Sequence, residues 1–569
     1  MIARFGRRLA RFALPLAVAA AMAVAASPAG AQRPIFAPFS TSFSGNYLAG
    51  LSADTDGDTR RAAAFFSRAL VFDPGNIALA EVALLLWLAS GDVPEAIGFA
   101  ESMARIDPGH EPARLTLTAE AFRTGDYAEA QEQLDALGGD EIIRLTSGLL
   151  YGWAEYGLGN VDEALAIIAG LEGPLWYEPF KAYHGALIAH LDGRPEALDL
   201  MAGAATTDTM LRPLESYARM LARSDQRDAA IELLRSFLGF IPNDPMALDL
   251  VARIEAGEEI EAPVRSAAAG AAEVFYGIAS AIGGDVNDGI SLPFLQLSRY
   301  LGPDTELPSL AVGELLQEAG RHEAAVEVLD AIDPASPLHG VGNVRAALSL
   351  EVLDRSEAAA ERLVPVVAEN PSSLSAVTAL ATIYRNADRY DDMIGVLTPA
   401  IESGPDIAAA AWRLRYLRGI AYERSGRWEL AEADFLAALD LVPDQPDVLN
   451  YLGYSWIDRG ENFEEGLALI ERAVAQRPDA GYIIDSLGWA HYQLGNYQEA
   501  VAALERAARI EVSHPVVLDH LGDAYWQAGR RREAMYQWAH ALESDPDDDL
   551  RAQVEEKLRS GLPENEPAK

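Results

Sequence analysis

The sequence predicts an all-α solenoid, a stack of helical hairpins built from one repeated element. Between residues 412 and 546 a pattern of small, aromatic and turn residues returns four times, in repeats that begin at Trp412, Pro446, Gly481 and Pro515. The spacing of about 34 residues accommodates two helices and their turns. Four copies in close register predict an architecture in which each hairpin packs on its neighbours.

Glycine and alanine occupy fixed places in these repeats. Glycines stand at position 8 (Gly419, Gly453, Gly488, Gly522) and near position 15 (Gly426, Gly460, Gly495, Gly529), and alanines such as Ala500 and Ala507 stand near positions 20 and 27. We expect position 8 to lie where two helices cross closely, because a larger side chain would overpack there. The later glycine ends the first helix, and a proline near position 32 ends the second.

Together these residues resemble the tetratricopeptide repeat (TPR) family. The resemblance implies a TPR superhelical solenoid of about 13 to 14 helix-turn-helix repeats. A C-terminal capping helix over residues 547–559 follows from an apolar stripe of Leu550, Val554 and Leu558. Glu555, Glu556 and Lys557 are expected to face water.

The amino-terminal end reads as an export signal. Four arginines precede an apolar run from Phe12 to Ala26, and Ala29-Gly30-Ala31 fits a cleavage site after Ala31, so residues 1–31 are predicted to be a signal peptide. Removing it takes the formal charge from −41 to −45. Such an acidic surface disfavours nucleic acid as a partner, and the mature chain has no apolar run long enough to cross a membrane.

The register of the repeat divides the mature chain. Residues 32–44 form an extended leader, 45–257 a degenerate amino-terminal TPR array, and 304–546 a carboxy-terminal array. Between them, residues 258–303 are predicted to be an irregular segment or hinge, because the register weakens there and glycine-rich turns appear. Residues 547–569 are the capping helix and tail.

Catalytic and metal-binding patterns are not found. There is no cysteine, and Asp54 to Asp58 departs from a calcium loop in the position of its glycine and in lacking the bidentate glutamate. The pairs His184/His190 and His514/His520 lack metal-pair spacing and are expected to be ordinary surface histidines. We therefore predict no enzyme, no cofactor and no metal; an enzyme with Asp285 or Asp288 in the irregular segment is the rival.

The remaining feature is a surface for binding. Positions 2, 5, 9 and 12 of each first helix share one face, which in a stacked array lines the concave side. The predicted peptide-binding residues on this concave groove are Tyr416, Asn450, Tyr454, Asp485, Trp489, Tyr492, Asp519, Asp523 and Trp526. Aromatic faces supply contact area, an asparagine amide can bond a backbone in both senses, and carboxylates favour a basic or polar-aromatic segment.

The last repeats are also similar to exported multi-TPR proteins of Gram-negative bacteria, through Leu449–Asn462, Tyr482–Trp489 and Asp519–Trp526. That group includes an outer-membrane TPR lipoprotein that presents cell-wall hydrolases to a carboxy-terminal processing protease. The resemblance implies a periplasmic scaffold or adaptor, peripheral to the outer membrane, with a protease and its substrates as partners. The absent lipidation cysteine is a departure from it. The alternative is an assembly or export factor for envelope polysaccharide or outer-membrane machinery. The sequence leaves the oligomeric state open.

Overall fold

A computed structural model describes residues 42–205, 211–282, 289–302, 306–403 and 410–563. All regular elements in these ranges are helices, so the predicted all-α solenoid is confirmed. No described helix has the length and apolar character needed to cross a bilayer. The predicted signal peptide, residues 32–41 of the predicted leader and the loop 283–288 lie outside the described residues.

The chain divides into two compact units, which meet in sequence between Ala359 and Ala360. The segment 258–303, which the sequence predicts to be a hinge, falls within the sequence range of the first unit, and its role as a hinge stays a prediction. Helix α19 (Ser356–Glu369) contains the division. The helices before it are α1 (Phe43–Thr55), α2 (Thr59–Leu70), α3 (Ile77–Ser90), α4 (Val93–Ile106), α5 (Glu111–Thr124), α6 (Tyr127–Asp135), α7 (Glu141–Gly157), α8 (Val161–Gly170), α9 (Glu178–Leu191), α10 (Ala197–Ala204), α11 (Leu211–Arg223), α12 (Arg227–Leu238), α13 (Pro245–Glu255), α14 (Ala267–Ile282), α15 (Ser291–Leu301), α16 (Leu307–Glu318), α17 (His322–Leu329) and α18 (His339–Val352).

Local sequence signals begin and end these helices. Asn76 starts α3 by accepting a hydrogen bond from the Leu79 amide at 3.1 Å, which satisfies one of the unpaired N–H groups of the first turn. Gly91 ends α3 with a φ of 81°, a left-handed conformation that glycine adopts without steric cost. Gly125 ends α5 in the same way, with a φ of 78°.

Helices α14 and α15 form a hairpin that packs against helices of the preceding pairs, mainly α3, α5 and α7. A Cβ atom on Gly270 would lie 2.3 Å from the Trp153 ring, so α14 reaches α7 only because this residue is glycine. Tyr300 donates to Glu120 at 2.5 Å, and Phe275 is fully buried. The α14–α15 hairpin therefore covers α3, α5 and α7, which are the first helices of three preceding pairs.

A buried ionic cluster also fixes α14. Arg212 of α11 donates to Glu273 of α14 at 2.6 Å and to Glu215 at 2.7 Å, and Tyr183 of α9 donates to Glu273 at 3.0 Å. Both carboxylates are nearly excluded from solvent. Removing one member would leave a buried charge unpaired, so this cluster specifies where α14 docks.

The second unit continues the hairpin pattern and ends with a single helix. Its helices after α19 are α20 (Leu374–Asn386), α21 (Tyr390–Glu402), α22 (Ala411–Arg424), α23 (Trp428–Leu441), α24 (Pro446–Asp458), α25 (Phe463–Gln476), α26 (Gly481–Gln493), α27 (Tyr497–Ile510), α28 (Pro515–Gln527), α29 (Arg531–Glu543) and α30 (Asp548–Ser560). Within the described residues, α22 to α29 match the four repeats of the sequence, and α30 matches the predicted capping helix.

The glycines act as the sequence predicted. A Cβ atom at Gly419, Gly488 or Gly522 would fall 2.4 to 2.6 Å from Phe435, Leu504 or Trp538 of the paired helix. The glycines near position 15 all have φ between 74° and 81°. Position 8 is therefore a close crossing, and position 15 is a left-handed helix end.

Candidate peptide-binding surface

The nine predicted groove residues lie on four first helices, α22, α24, α26 and α28. Helix α24 contacts α26, and α26 contacts α28, so their faces adjoin. A side chain at position 5 of one repeat is directed to position 6 of the next repeat: Tyr416 lies 5.9 Å from Tyr451 between ring centroids, in an edge-on arrangement. Whether a position-5 residue is open to a ligand therefore depends on the residue that follows in the next repeat.

On α22 and α24, the predicted residues are half-buried and keep unpaired polar groups. The Tyr416 and Tyr454 hydroxyls make no hydrogen bond within the described ranges, and burial raises the pKa of both phenols. The Asn450 Oδ1 atom is buried without a hydrogen-bond partner there. Its position-6 neighbour, Ser486, instead donates to the Tyr482 carbonyl of its own helix at 3.1 Å.

On α26, the predicted residues include a stacked aromatic group and an acidic residue that contacts it. Trp489 lies between Tyr492 and His520, with centroid distances of 4.9 Å and 4.2 Å. The Trp489 Nε1–H is buried and has no partner among the described residues. Asp485 is 9% exposed, and its carboxylate lies 3.0 Å from His520 Nδ1. Asp485 therefore has a hydrogen-bond partner at position 6 of the next repeat. Tyr492 is 4% exposed and belongs to the core.

On α28, all three predicted residues contact the carboxy-terminal segment. Lys557 of α30 donates to Asp519 at 2.7 Å and to Asp523 at 2.8 Å. Trp526 donates to the Leu562 carbonyl at 2.9 Å, and Gly561 packs on its ring. The prediction that Lys557 faces water is therefore wrong: the lysine turns inward because two buried carboxylates need a counter-charge.

The charges of this cluster shift two pKa values. Burial and the neighbouring Asp519 raise the pKa of Asp523 to about 6, although Lys557 opposes the shift. Burial by itself lowers the pKa of His520, but Asp485, and then Asp519 and Asp523, outweigh it and leave that pKa raised. His520 was expected on the surface; the structure places it against Trp489 and Asp485 instead, and only its position-6 spacing could have indicated this.

The open part of the surface consists of Tyr416, Asn450, Tyr454 and Trp489, which we call the open strip. It combines aromatic area with one unpaired acceptor and one unpaired donor, and an unpaired buried polar group costs about 1–3 kcal/mol. Asp485, Tyr492, Asp519, Asp523 and Trp526 already have partners within the unit. The described residues contain no group of metal-ligating side chains.

A stack of helical hairpins that carries an extended strip of side chains is typical of the helical-repeat proteins, a class of scaffolds. Models of the tetratricopeptide repeat match residues 47–111, 378–446, 416–481, 458–515 and 486–550, and a second such model matches 88–141. These segments, a little under half of the chain, are tetratricopeptide repeats. Such repeats generally mediate protein–protein interactions and are typically non-enzymatic.

Three proteins with related sequences or folds are distantly similar to this chain. The TPR repeat-containing protein PA4667 of Pseudomonas aeruginosa is 28% identical over 142 residues, which cover 25% of this chain and 23% of that protein. A tetratricopeptide repeat protein from Parabacteroides merdae shares 14% identity with a TM-score of 0.38, over 44% of this chain and 96% of its own. Yeast Tom70 shares 12% identity with a TM-score of 0.35, over 91% and 95%. The repeats are therefore identified by the family models.

Proposed function

We propose that this protein is a non-enzymatic scaffold that binds an extended polypeptide along the open strip of the second unit. The observation that carries the proposal is the pair of buried polar atoms without partners, Asn450 Oδ1 and Trp489 Nε1. An extended backbone offers an N–H group and a carbonyl in alternation, so it can supply both missing partners once the half-buried Asn450 and Trp489 side chains turn toward it. Aromatic rings beside these atoms add contact area.

The charge around the strip favours a basic segment. Burial raises the pKa of the Tyr454 phenol, and the nearby carboxylates of Asp458 and Asp485 add to this shift. The whole chain carries a formal charge of −41. A lysine or arginine side chain on the partner would find these carboxylates close by, and long-range attraction would speed its encounter. Lys557 shows the same preference within the chain, since it is the cation taken up by Asp519 and Asp523.

The first unit is not proposed as the binding surface. Helices α3, α5 and α7 are the first helices of their pairs, and the α14–α15 hairpin packs on them. Leu297 of the hairpin is 1% exposed, as expected for an integral part of a core. An outside polypeptide would have to remove this buried hairpin, whereas the open strip is available without unfolding.

A peptide selection tests this proposal. A displayed library of random peptides is selected on the full chain, and an enriched peptide is measured by fluorescence anisotropy. We expect enrichment of lysine and arginine, and about tenfold weaker binding for Asn450→Ala and for Trp489→Ala. The matched controls are Asn496→Ala and Tyr536→Ala, which remove an amide and an aromatic ring from exposed positions on other faces.

Two results would reject the open strip. One is equal binding by all four variants, which would place the peptide elsewhere. The other is a selection without basic enrichment, which would remove the charge argument. Circular dichroism melts of each variant separate lost binding from lost folding. Trp489→Ala removes stacking on Tyr492 and His520 and should lower Tm, so its binding is measured well below its own Tm.

We also propose that the chain is exported, with cleavage after Ala31, and acts in the periplasm. The support is the order of charged, apolar and small residues in the first 31 positions. Mass spectrometry of the mature amino terminus tests it: the peptide should begin at Gln32. An amino terminus at Met1 in an intact cytoplasmic protein would refute export.

The first partners to examine are a periplasmic carboxy-terminal processing protease and its substrates, by analogy with the exported TPR adaptor that the last repeats resemble. The alternative is an assembly or export factor for envelope polysaccharide or outer-membrane machinery. Crosslinking in the periplasmic fraction, followed by binding assays with each purified candidate, distinguishes the two. Basic segments should be found in whichever partner binds the open strip.

A further inference from the structure

A second candidate site lies in the first unit, far in sequence from the open strip. A cavity of about 640 Å³ opens where the turn between α1 and α2 meets the end of α3, helix α15 and the α16–α17 turn. Arg321 donates to Thr59 at 2.8 Å, and Arg60 donates to Glu327 at 2.9 Å. These bonds join segments some 260 residues apart in the sequence and form one side of the cavity.

Arg299 of α15 contributes a guanidinium group that has only neutral hydrogen-bond partners. It donates from Nε to Ser309 at 3.0 Å and from Nη1 to Gln296 at 2.7 Å. No carboxylate pairs with it among the described residues. Burial lowers its pKa, although the charge of Glu327 acts in the opposite direction. A charge withdrawn from water without a counter-ion is unfavourable, so this wall of the cavity favours an anion.

Two further features of the same wall favour negative charge. The Arg321 guanidinium, like that of Arg299, has a hydroxyl as its partner, Thr59, and forms no salt bridge with another described residue. Helix α17 starts after Arg321 with no side chain capping its first turn, and Ala324 of that turn lines the cavity. Uncapped amides at a helix start carry partial positive charge and bind oxyanions.

The rim of the cavity limits what can enter. Asp56, Asp58 and Glu323 are exposed there, and Glu327 is engaged by Arg60. These carboxylates would repel an extended polyanion, whereas one small anionic group can pass them and reach the arginines. The geometry therefore selects a ligand with a single oxyanion group.

We propose that this cavity binds the phosphate group of a small molecule, held between Arg299 and Arg321 at the start of α17. Guanidinium groups pair well with phosphate because their donors match its oxygens. The site is separate from the open strip, so it would give the scaffold a small-molecule ligand in addition to its polypeptide.

Calorimetric titration of the full chain with inorganic phosphate tests the site, with chloride keeping the ionic strength constant. We expect saturable binding that weakens about tenfold or more in Arg299→Gln and in Arg321→Gln. The matched control is Arg235→Gln, an exposed arginine of the same unit that pairs with Glu255 at 2.6 Å. Tripolyphosphate should bind more weakly than phosphate because of the acidic rim.

Absence of saturable binding, or equal binding by wild type and both cavity variants, overturns the proposal. Tighter binding of tripolyphosphate would contradict the single-anion argument. If Arg299→Gln melts early because α15 loses its bond to Ser309, Arg321→Gln still decides, and Arg299→Lys, which keeps the charge, should retain more binding than Arg299→Gln.

Discussion

The crossing of α24 and α25 offers the sharpest test of how the repeats pack. Gly453 and Gly466 face each other there, and a Cβ atom on Gly453 would lie 2.6 Å from the Gly466 carbonyl oxygen. The reverse substitution would place a Cβ atom 2.9 Å from the Gly453 carbonyl oxygen. The obstacle is backbone in both directions, so Gly453→Ala forces the helices apart.

Two terms of opposite sign set the magnitude. Overpacking a close crossing costs about 1–3 kcal/mol. Alanine in a helix interior is better than glycine by about 0.5–1 kcal/mol. We therefore expect Gly453→Ala to lower the free energy of unfolding of the second unit by up to about 2.5 kcal/mol. For a cooperative unit of roughly 200 residues this lowers Tm by a few degrees.

Gly395 of α21 is the matched control. It is exposed in the middle of a helix, and a Cβ atom there would meet no other atom within 4 Å. Gly395→Ala should therefore stabilise the unit by about 0.5–1 kcal/mol. Calorimetric melts of the full chain measure both changes, and hydrogen exchange over α24 and α25 localises the loss. Stabilisation by both substitutions would refute the close crossing.

Other substitutions test charge and burial. Burial and Asp519 raise the pKa of Asp523 to about 6, above its unfolded value, so the folded state gains stability as the pH falls through 6. Asp523→Asn should remove this gain, which thermal melts at about pH 5 and pH 8 would measure. Burial lowers the pKa of His184 to about 3, so the first unit should lose stability as the pH falls below about 6.5, and His184→Phe should reduce that loss in acid titrations followed by circular dichroism. Ala500→Arg buries a charge at a fully enclosed position and should cost several kcal/mol in denaturant unfolding. Ser486→His should bring a hydrogen-bond donor to Asn450 Oδ1, and fluorescence anisotropy should then show weaker peptide binding.

The helical hairpins could be predicted because their requirements are local. A glycine at position 8 indicates a closely packed helix. A glycine near position 15 indicates a left-handed helix end, as the φ of 77° at Gly495 shows. These constraints act within one repeat and recur in each. They need no knowledge of how distant parts of the chain meet.

The docking of α14 and α15 could not be predicted in the same way. Their apolar residues fit another stacked pair equally well, and the choice between stacking and folding back depends on distant partners. Gly270 meets Trp153, and Glu273 meets Arg212, across separations of 117 and 61 residues. A single sequence gives no measure of such long-range pairings, so the segment 258–303 looked irregular.

The predicted groove residues differ in whether they have partners within the chain, which the sequence did not indicate, and one relation between neighbouring repeats explains the difference. A position-5 side chain meets position 6 of the next repeat, so Asp485 meets His520, while Asp519 meets Lys557 of the capping helix in place of a further repeat. The acidic residues of the predicted groove therefore form hydrogen bonds and ion pairs between helices. Asn450 is the exception, because Ser486 bonds its own helix and leaves the amide oxygen without a partner. We therefore expect a ligand at Asn450, where the contact between position 5 of one repeat and position 6 of the next is missing.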